Sequence, residues 1–351
     1  MLKVLHITAH LGLGVGKALS GLVLNTDTAT SGVCHKIICL EQPEKTLFVD
    51  RITNTGNEVL IAPNSDQLIK QIMDSDIVQL EWWNHPATIN GLCSQPLPPM
   101  RLLVWCHISG LHTSIIPKKL ITQSQKFIFT SPCSYEAANV SALSPEYTDH
   151  LGVINSCGGF DGFPKSGTSS NSGIAAGYIG SLNFAKLHPH YVDFLKEVPN
   201  PEFKVRMIGD TLNKDVLERQ CEQAGRKGLL EFCGYTNDVV AELSKINTLI
   251  YLLNPNHYGT TENALLEAMA MGIVPIVLDN PAERHIVEDK KTGFIVRNPK
   301  ELAQAVQWLY QNPQKHKGMG EQASLSVRNR FQVSRMAKEF TNLYLLIRHC
   351  F

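Results

Sequence analysis

Along the first half of the chain, short apolar runs alternate with longer amphipathic stretches. Val4–Thr8, His35–Cys39, Glu58–Ile61, Ile77–Glu81, Leu102–Cys106, Phe127–Thr130 and Gly152–Ile154 are predicted strands, and segments such as Asp66 to Met73 are predicted helices between them. The second half repeats the alternation, with strands expected at Ala175–Ile179, Phe203–Ile208, Leu230–Cys233, Thr248–Leu253, Ile273–Leu278 and Gly293–Val296. Continuous apolar runs separated by helical stretches are the pattern of parallel sheets covered on both faces. Between the halves, Cys157 to Gly173 is rich in Gly and Ser and reads as a linker. Further on, Asn298 is a good helix N-cap, Pro299 suits the first helical position, and Glu301 is placed to close a capping box. Leu302, Val306 and Leu309 then share one face, and Val333 to Phe351 is a helix apolar on one side.

At 351 residues the chain suits two α/β domains rather than one core. The expected fold class is α/β with two Rossmann-like, doubly wound parallel-sheet domains. Their bounds are 1–160 and 174–330, joined by a linker at 161–173 and followed by a tail at 331–351. A formal net charge of zero argues against a nucleic-acid binder, which needs clustered cations. The nine cysteines form no CxxC pair, and several fall in predicted strands, which points to a reducing compartment. Met1 to Thr8 reads as a strand rather than a secretory signal, and no run approaches the ~20 apolar residues that span a bilayer. The expected location is therefore cytoplasmic, at most peripheral to the inner face of a membrane.

The chemistry concentrates at Thr261-Glu262-Asn263-Ala264-Leu265-Leu266-Glu267-Ala268-Met269-Ala270-Met271-Gly272, an apolar helix leading into the strand from Ile273. Glu262 falls in the predicted first turn, where the helix dipole favours an acid. Glu267 lies more than a turn inside, among core residues, where a carboxylate needs a partner or a ligand hydroxyl. Near the amino terminus, Gly12-Leu13-Gly14-Val15-Gly16-Lys17 links the first strand to a helix whose free N–H groups suit an anion. Its spacing is neither the dinucleotide fingerprint nor a Walker loop, which disfavours a nicotinamide dehydrogenase. His107 stands just past the carboxyl end of a buried strand, the edge where ligands collect in open α/β sheets. Cys106 beside it has no partner that would activate a thiol. Leu80-Glu81-Trp82-Trp83 ends another strand with two aromatics, suited to core packing or to sugar stacking.

The segment around Glu267 resembles the donor-sugar motif of retaining glycosyltransferases with the two-domain GT-B fold. The resemblance is to the large group containing sucrose synthases, mannosyltransferases and lipopolysaccharide glucosyltransferases. That pattern is an acid, seven residues, a second acid, Ala-Met-Ala, Gly and Pro. Glu267 matches the second acid, which in the family holds the nucleotide ribose; the first acid falls on Gly259, with Glu262 three residues on. Gly177 to Lys186 resembles the family's diphosphate-gripping loop, with Lys186 matching its lysine and Ser181 standing where an arginine is expected. The resemblance implies a transferase moving a sugar from a nucleoside diphosphate sugar to an acceptor hydroxyl with retention. His107 and Lys186 are its catalytic residues. Gly14, Gly16, Ser181, Asn183, Lys186, Glu262, Asn263, Ala264, Leu265 and Glu267 form the donor site. The acceptor is a glycan, a lipid-linked sugar or a small molecule. Neither metal nor other cofactor is expected. A nucleotide-sugar epimerase and a non-catalytic partner-binding subunit of the same fold are the alternatives.

Overall fold

The computed structural model describes residues 1–157, 159–160, 162–165 and 173–349. Of the expected linker, residues 161 and 166–172 lie outside the described residues. The chain divides into two compact units. The first comprises Met1–Gly159, Tyr258–Thr261 and Phe331–Phe351, and the second Phe160–His257 and Glu262–Arg330.

Every apolar run of the first half forms a strand, with ends within two residues of the sequence reading. These are β1 (Leu2–Thr8), β2 (Val33–Cys39), β3 (Glu58–Ile61), β4 (Ile77–Trp82), β5 (Leu102–Cys106), β6 (Lys126–Phe129) and β7 (Leu151–Val153). All pair in parallel, in the order β3-β2-β1-β4-β5-β6-β7. Parallel register carries each side of the pleat across the sheet, so residues paired in register share a face. Val4 pairs with His35 and Ile77, His6 with Gln79, and Glu81 with Trp105. One face thus presents His35, His6, Gln79, Glu81 and Trp105. The opposite face presents Leu5, Ile7, Val78, Leu80, Trp82, Val104 and Cys106, all in the apolar core. The polar face is sealed by the long helix Val333–His349, where the Phe340 ring lies 4.7 Å from Trp105 and the Tyr344 hydroxyl donates to Gln79.

The second unit holds β8 (Ala176–Ile179), β9 (Val205–Ile208), β10 (Leu230–Gly234), β11 (Thr248–Tyr251), β12 (Val274–Leu278) and β13 (Phe294–Val296). They too are parallel, ordered β10-β9-β8-β11-β12-β13. The helix Asn263–Ala270 buries Leu265 to Ala270. Gly272 ends it at φ +77°, a left-handed conformation that glycine adopts without a Cβ clash, and the Ile273 N–H bonds back to the Ala268 carbonyl.

Each sheet has one point where the chain leaves towards one edge and later returns to build the other: between β1 and β4, and between β8 and β11. Loops that part there leave a crevice at the carboxyl ends of the strands, the usual ligand position in such sheets. No helix among the described residues is long and apolar enough to cross a membrane.

At the helix Pro299–Gln311, the Asn298 side chain accepts from the Glu301 N–H at 3.0 Å, as the cap signal predicts. The return bond differs: Glu301 accepts from the backbone N–H of Arg297 and from the side-chain amide of Asn298, not from the backbone N–H of Asn298. Asn298→Ala should lower the unfolding free energy by about 1 kcal/mol, the usual cost of losing an N-cap. Urea denaturation would measure this as a fall in midpoint at unchanged slope.

Candidate functional site

At the β8/β11 crevice two loops meet. After β8, the Ser181 hydroxyl donates to Asp210 at 2.7 Å, and Asn183 donates to Ser181 while its carbonyl accepts from the Lys186 N–H. Ser181 and Asn183, expected at the donor, are thus engaged in holding the loop that presents Lys186. Burial pushes the Asp210 carboxyl up, but bonds from Ser181 and from the Leu212 and Leu182 N–H groups outweigh it and hold the group below its usual range. Lys186 Nζ lies 2.7 Å from Glu262 Oε2, which also accepts from the Tyr251 hydroxyl at 2.8 Å. Glu262 is the N-cap residue rather than part of the first turn, and its side chain caps no N–H. Burial alone would raise its carboxyl; the nearby Lys186 and His257, with the Tyr251 hydroxyl, bring it down to about 2.

Asn263 and Ala264 open the helix half-buried, Leu265 is wholly inside the core, and Glu267 keeps only 7% of its surface exposed. Behind them, His257 Nε2 lies 3.1 Å from Glu283 on the next helix. Burial disfavours the charged ring, but Glu283 more than offsets this and raises the His257 pKa. The sequence reading missed His257 and its pairing with Glu283. Glu283 is in the first turn of Pro281–Arg284, where the helix dipole favours an acid, but it is sealed from solvent, and its histidine partner lies far off in sequence.

In the first unit, Gly12 caps the helix Leu13–Leu24, so Gly14 and Gly16 belong to its first turn rather than to a loop. Gly14 is exposed. Gly16 is buried where a Cβ would lie 2.6 Å from the Leu11 carbonyl carbon, so close backbone packing accounts for its glycine. His107 follows β5, its backbone N–H bonded to the Trp82 carbonyl and its Nε2 2.8 Å from Glu81 Oε2. The other Glu81 oxygen meets His6 Nδ1 at 3.1 Å and the Gln79 amide at 2.8 Å. Burial opposes ionisation of Glu81, yet the bonds from His107 and His6 hold its carboxyl below the usual range. Glu81 and His6 escaped the sequence reading; the one signal was an acid inside an otherwise buried strand. Trp82 is core, whereas Trp83 is half-buried. Cys106 is sealed, and burial pushes its thiol up to about 12, which suits packing rather than attack.

His10, Glu41 and His85 follow β1, β2 and β4, with ligand-type atoms within 4.8 Å of one another. His10 Nδ1 accepts from the Gly12 N–H at 3.0 Å, and His85 Nδ1 from the Ala87 N–H at 3.2 Å. In the neutral rings the proton must then sit on Nε2, the atom aimed at Glu41 from 3.9 and 3.5 Å. A metal bound at Nε2 would need that proton on Nδ1, facing a backbone donor. The group therefore fits N–H donation to Glu41 and does not fit ligation. Beside it, a groove of about 490 Å³ is lined by Asn84, Pro86, Ile89, Asn90, Cys93 and Ser94.

The depressed Glu262 carboxyl sets a pH dependence. Its folded value of about 2 lies below the ordinary 4.5, so it adds stability above the ordinary value. That stability is lost as pH falls from about 5 towards 2. The urea midpoint of the wild type should drop more steeply over that window than that of Glu262→Gln; parallel curves would remove the ion pair from the account.

Residues 163–325 match the family model described as Glycosyl transferases group 1. No curated protein gives a significant match. Among solved structures, HepE of Anabaena, in complex with UDP and glucose, is 15% identical with a TM-score of 0.75, covering 99% of this chain and 100% of its own. TarM of S. aureus has a TM-score of 0.76 at 10% identity, covering 98% of this chain and 100% of its own. The sucrose-phosphate synthase of Thermosynechococcus elongatus has 0.72 at 13%, with 99% of each chain covered. Two parallel sheets of seven and six strands among the described residues, shared along nearly the whole length with these proteins, are the GT-B fold, and the stretch similar to glycosyl transferases group 1 lies within its second half.

Proposed function

We propose that the protein transfers a sugar from a nucleoside diphosphate sugar to an acceptor hydroxyl, with retention of anomeric configuration. The observation that carries this is Lys186 at the β8/β11 crevice, inside the matched domain and next to the free N–H groups that open the helix Asn263–Ala270. A departing diphosphate needs positive charge where its own charge grows. A lysine ammonium and a helix N-terminus supply it without a metal. Glu262 holds the lysine at the sheet edge while 31% of its side chain stays exposed, enough for an anion to approach. Glu267 is proposed for the ribose hydroxyls. UDP bound in the HepE structure supports a uridine nucleotide as the first donor to try. The acceptor is proposed for the first unit, where the groove beside Asn84 and Asn90 offers amide groups to hydroxyls. A non-catalytic, partner-binding role is the second reading, favoured by the engagement of Ser181 with Asp210 and of Lys186 with Glu262.

Thermal unfolding with uridine, guanosine and adenosine diphosphate sugars tests the donor. One class should raise Tm by several degrees, and Glu267→Ala should lose that rise. If none does, the transferase reading fails. Lys186→Ala should weaken donor affinity by about tenfold or more, the scale of one charge-assisted bond. With a donor in hand, NMR of the product's anomeric carbon should give the donor's configuration. The opposite configuration would contradict retention, and donor binding without any turnover would favour the second reading.

A further inference from the structure

The buried polar chain of the first sheet has a direction, which follows from what each atom can do. Ionised Glu81 can only accept, so His107 Nε2, His6 Nδ1 and the Gln79 amide nitrogen all donate to it. That fixes the Gln79 amide with its carbonyl turned away, where it accepts from the Tyr344 hydroxyl at 2.6 Å. His6 Nε2 lies 2.8 Å from His35 Nδ1, and His35 Nε2 is buried without a partner. An orphaned N–H is rarer in protein interiors than an under-satisfied acceptor. The proton of His35 therefore sits on Nδ1 and donates to His6. Every donor points towards Glu81, and none of these atoms has freedom to reverse.

One consequence reaches the sheet edge. With a proton committed to Glu81 through Nε2, the His107 ring in its neutral form carries a lone pair on Nδ1. That atom makes no hydrogen bond within the described residues, and the side chain keeps 7% of its surface exposed. The ring plane is held by Trp105, 4.6 Å away, with the edge of Trp83 at 6.5 Å. We infer that Glu81, backed by Gln79, His6 and Tyr344, is a positioning residue that locks His107 with Nδ1 as the hydrogen-bond acceptor for a substrate hydroxyl. A ligand group without a proton to donate, such as a carboxylate or phosphate oxygen, is disfavoured at that atom. The identity of the hydroxyl rests on the transferase reading; the locked tautomer does not.

The test is long-range proton–nitrogen NMR of the full chain labelled with ¹⁵N-histidine, with no ligand added. The signals that vanish in His107→Gln belong to His107. The expected wild-type pattern is a protonated Nε2 and a bare Nδ1. In Glu81→Gln the ionic acceptor is gone, and the His107 nitrogen shifts should move towards a mixture of tautomers. Tyr344→Phe, nearly the same shape, should move them less but in the same direction, which keeps the chain testable if Glu81→Gln does not fold. A wild-type proton on Nδ1, or unmoved His107 signals in a folded variant, overturns the inference. With an active donor, Glu81→Gln should also lower kcat by about 10–100-fold, the scale of losing the partner that orients a functional histidine. The same loss with unmoved His107 signals would count against positioning. Because the spectra need no donor, a correct tautomer with no donor binding would sink the transferase reading and leave this one standing.

Discussion

A carboxylate sealed from water must be given hydrogen-bond donors or cations, and Glu81, Glu262 and Glu283 each receive them. Glu81 and Glu283 have no exposed side-chain surface, and Glu262 has 8%. An unpaired buried charge costs several kcal/mol, more than most single contacts return. Each acid is accordingly matched: Glu81 by two histidines and an amide, Glu262 by Lys186 and Tyr251, Glu283 by His257. Satisfying these groups fixes the positions of the chemically capable side chains in both units.

Topology decides where such groups can gather. Parallel register places His6, Gln79, Glu81 and Trp105 on one face, leaving the other to an unbroken apolar core. Covering the polar face takes a helix with its own polar contribution, and Tyr344 supplies it. In the second sheet, the loops after β8 and β11 part at the switch point, which brings Lys186 to Glu262 across a long stretch of sequence. Most of the residues that match the glycosyl transferases group 1 model lie in that second unit.

Much of the fold was legible because parallel strands announce themselves as short apolar runs; the thirteen strands among the described residues all lie within two residues of where the pattern puts them. Local caps such as Asn298 were legible for the same reason, since their partners lie within one turn. The site was legible only residue by residue. Lys186, Glu262 and His107 were named from motif position, but the pairing of Lys186 with Glu262 and of His107 with Glu81 was not, because contacts between distant loops leave no periodic trace. Gly16 misled in the opposite sense: a glycine that suits an anion loop is here explained by contact with the Leu11 backbone.

The role of Lys186 is the point on which the functional account turns, and a crystal structure with bound nucleoside diphosphate addresses it directly. The account predicts a phosphate oxygen within hydrogen-bond reach of Lys186 Nζ, next to the N-terminus of the helix Asn263–Ala270. A nucleotide bound elsewhere, with Lys186 held by Glu262 alone, would contradict it.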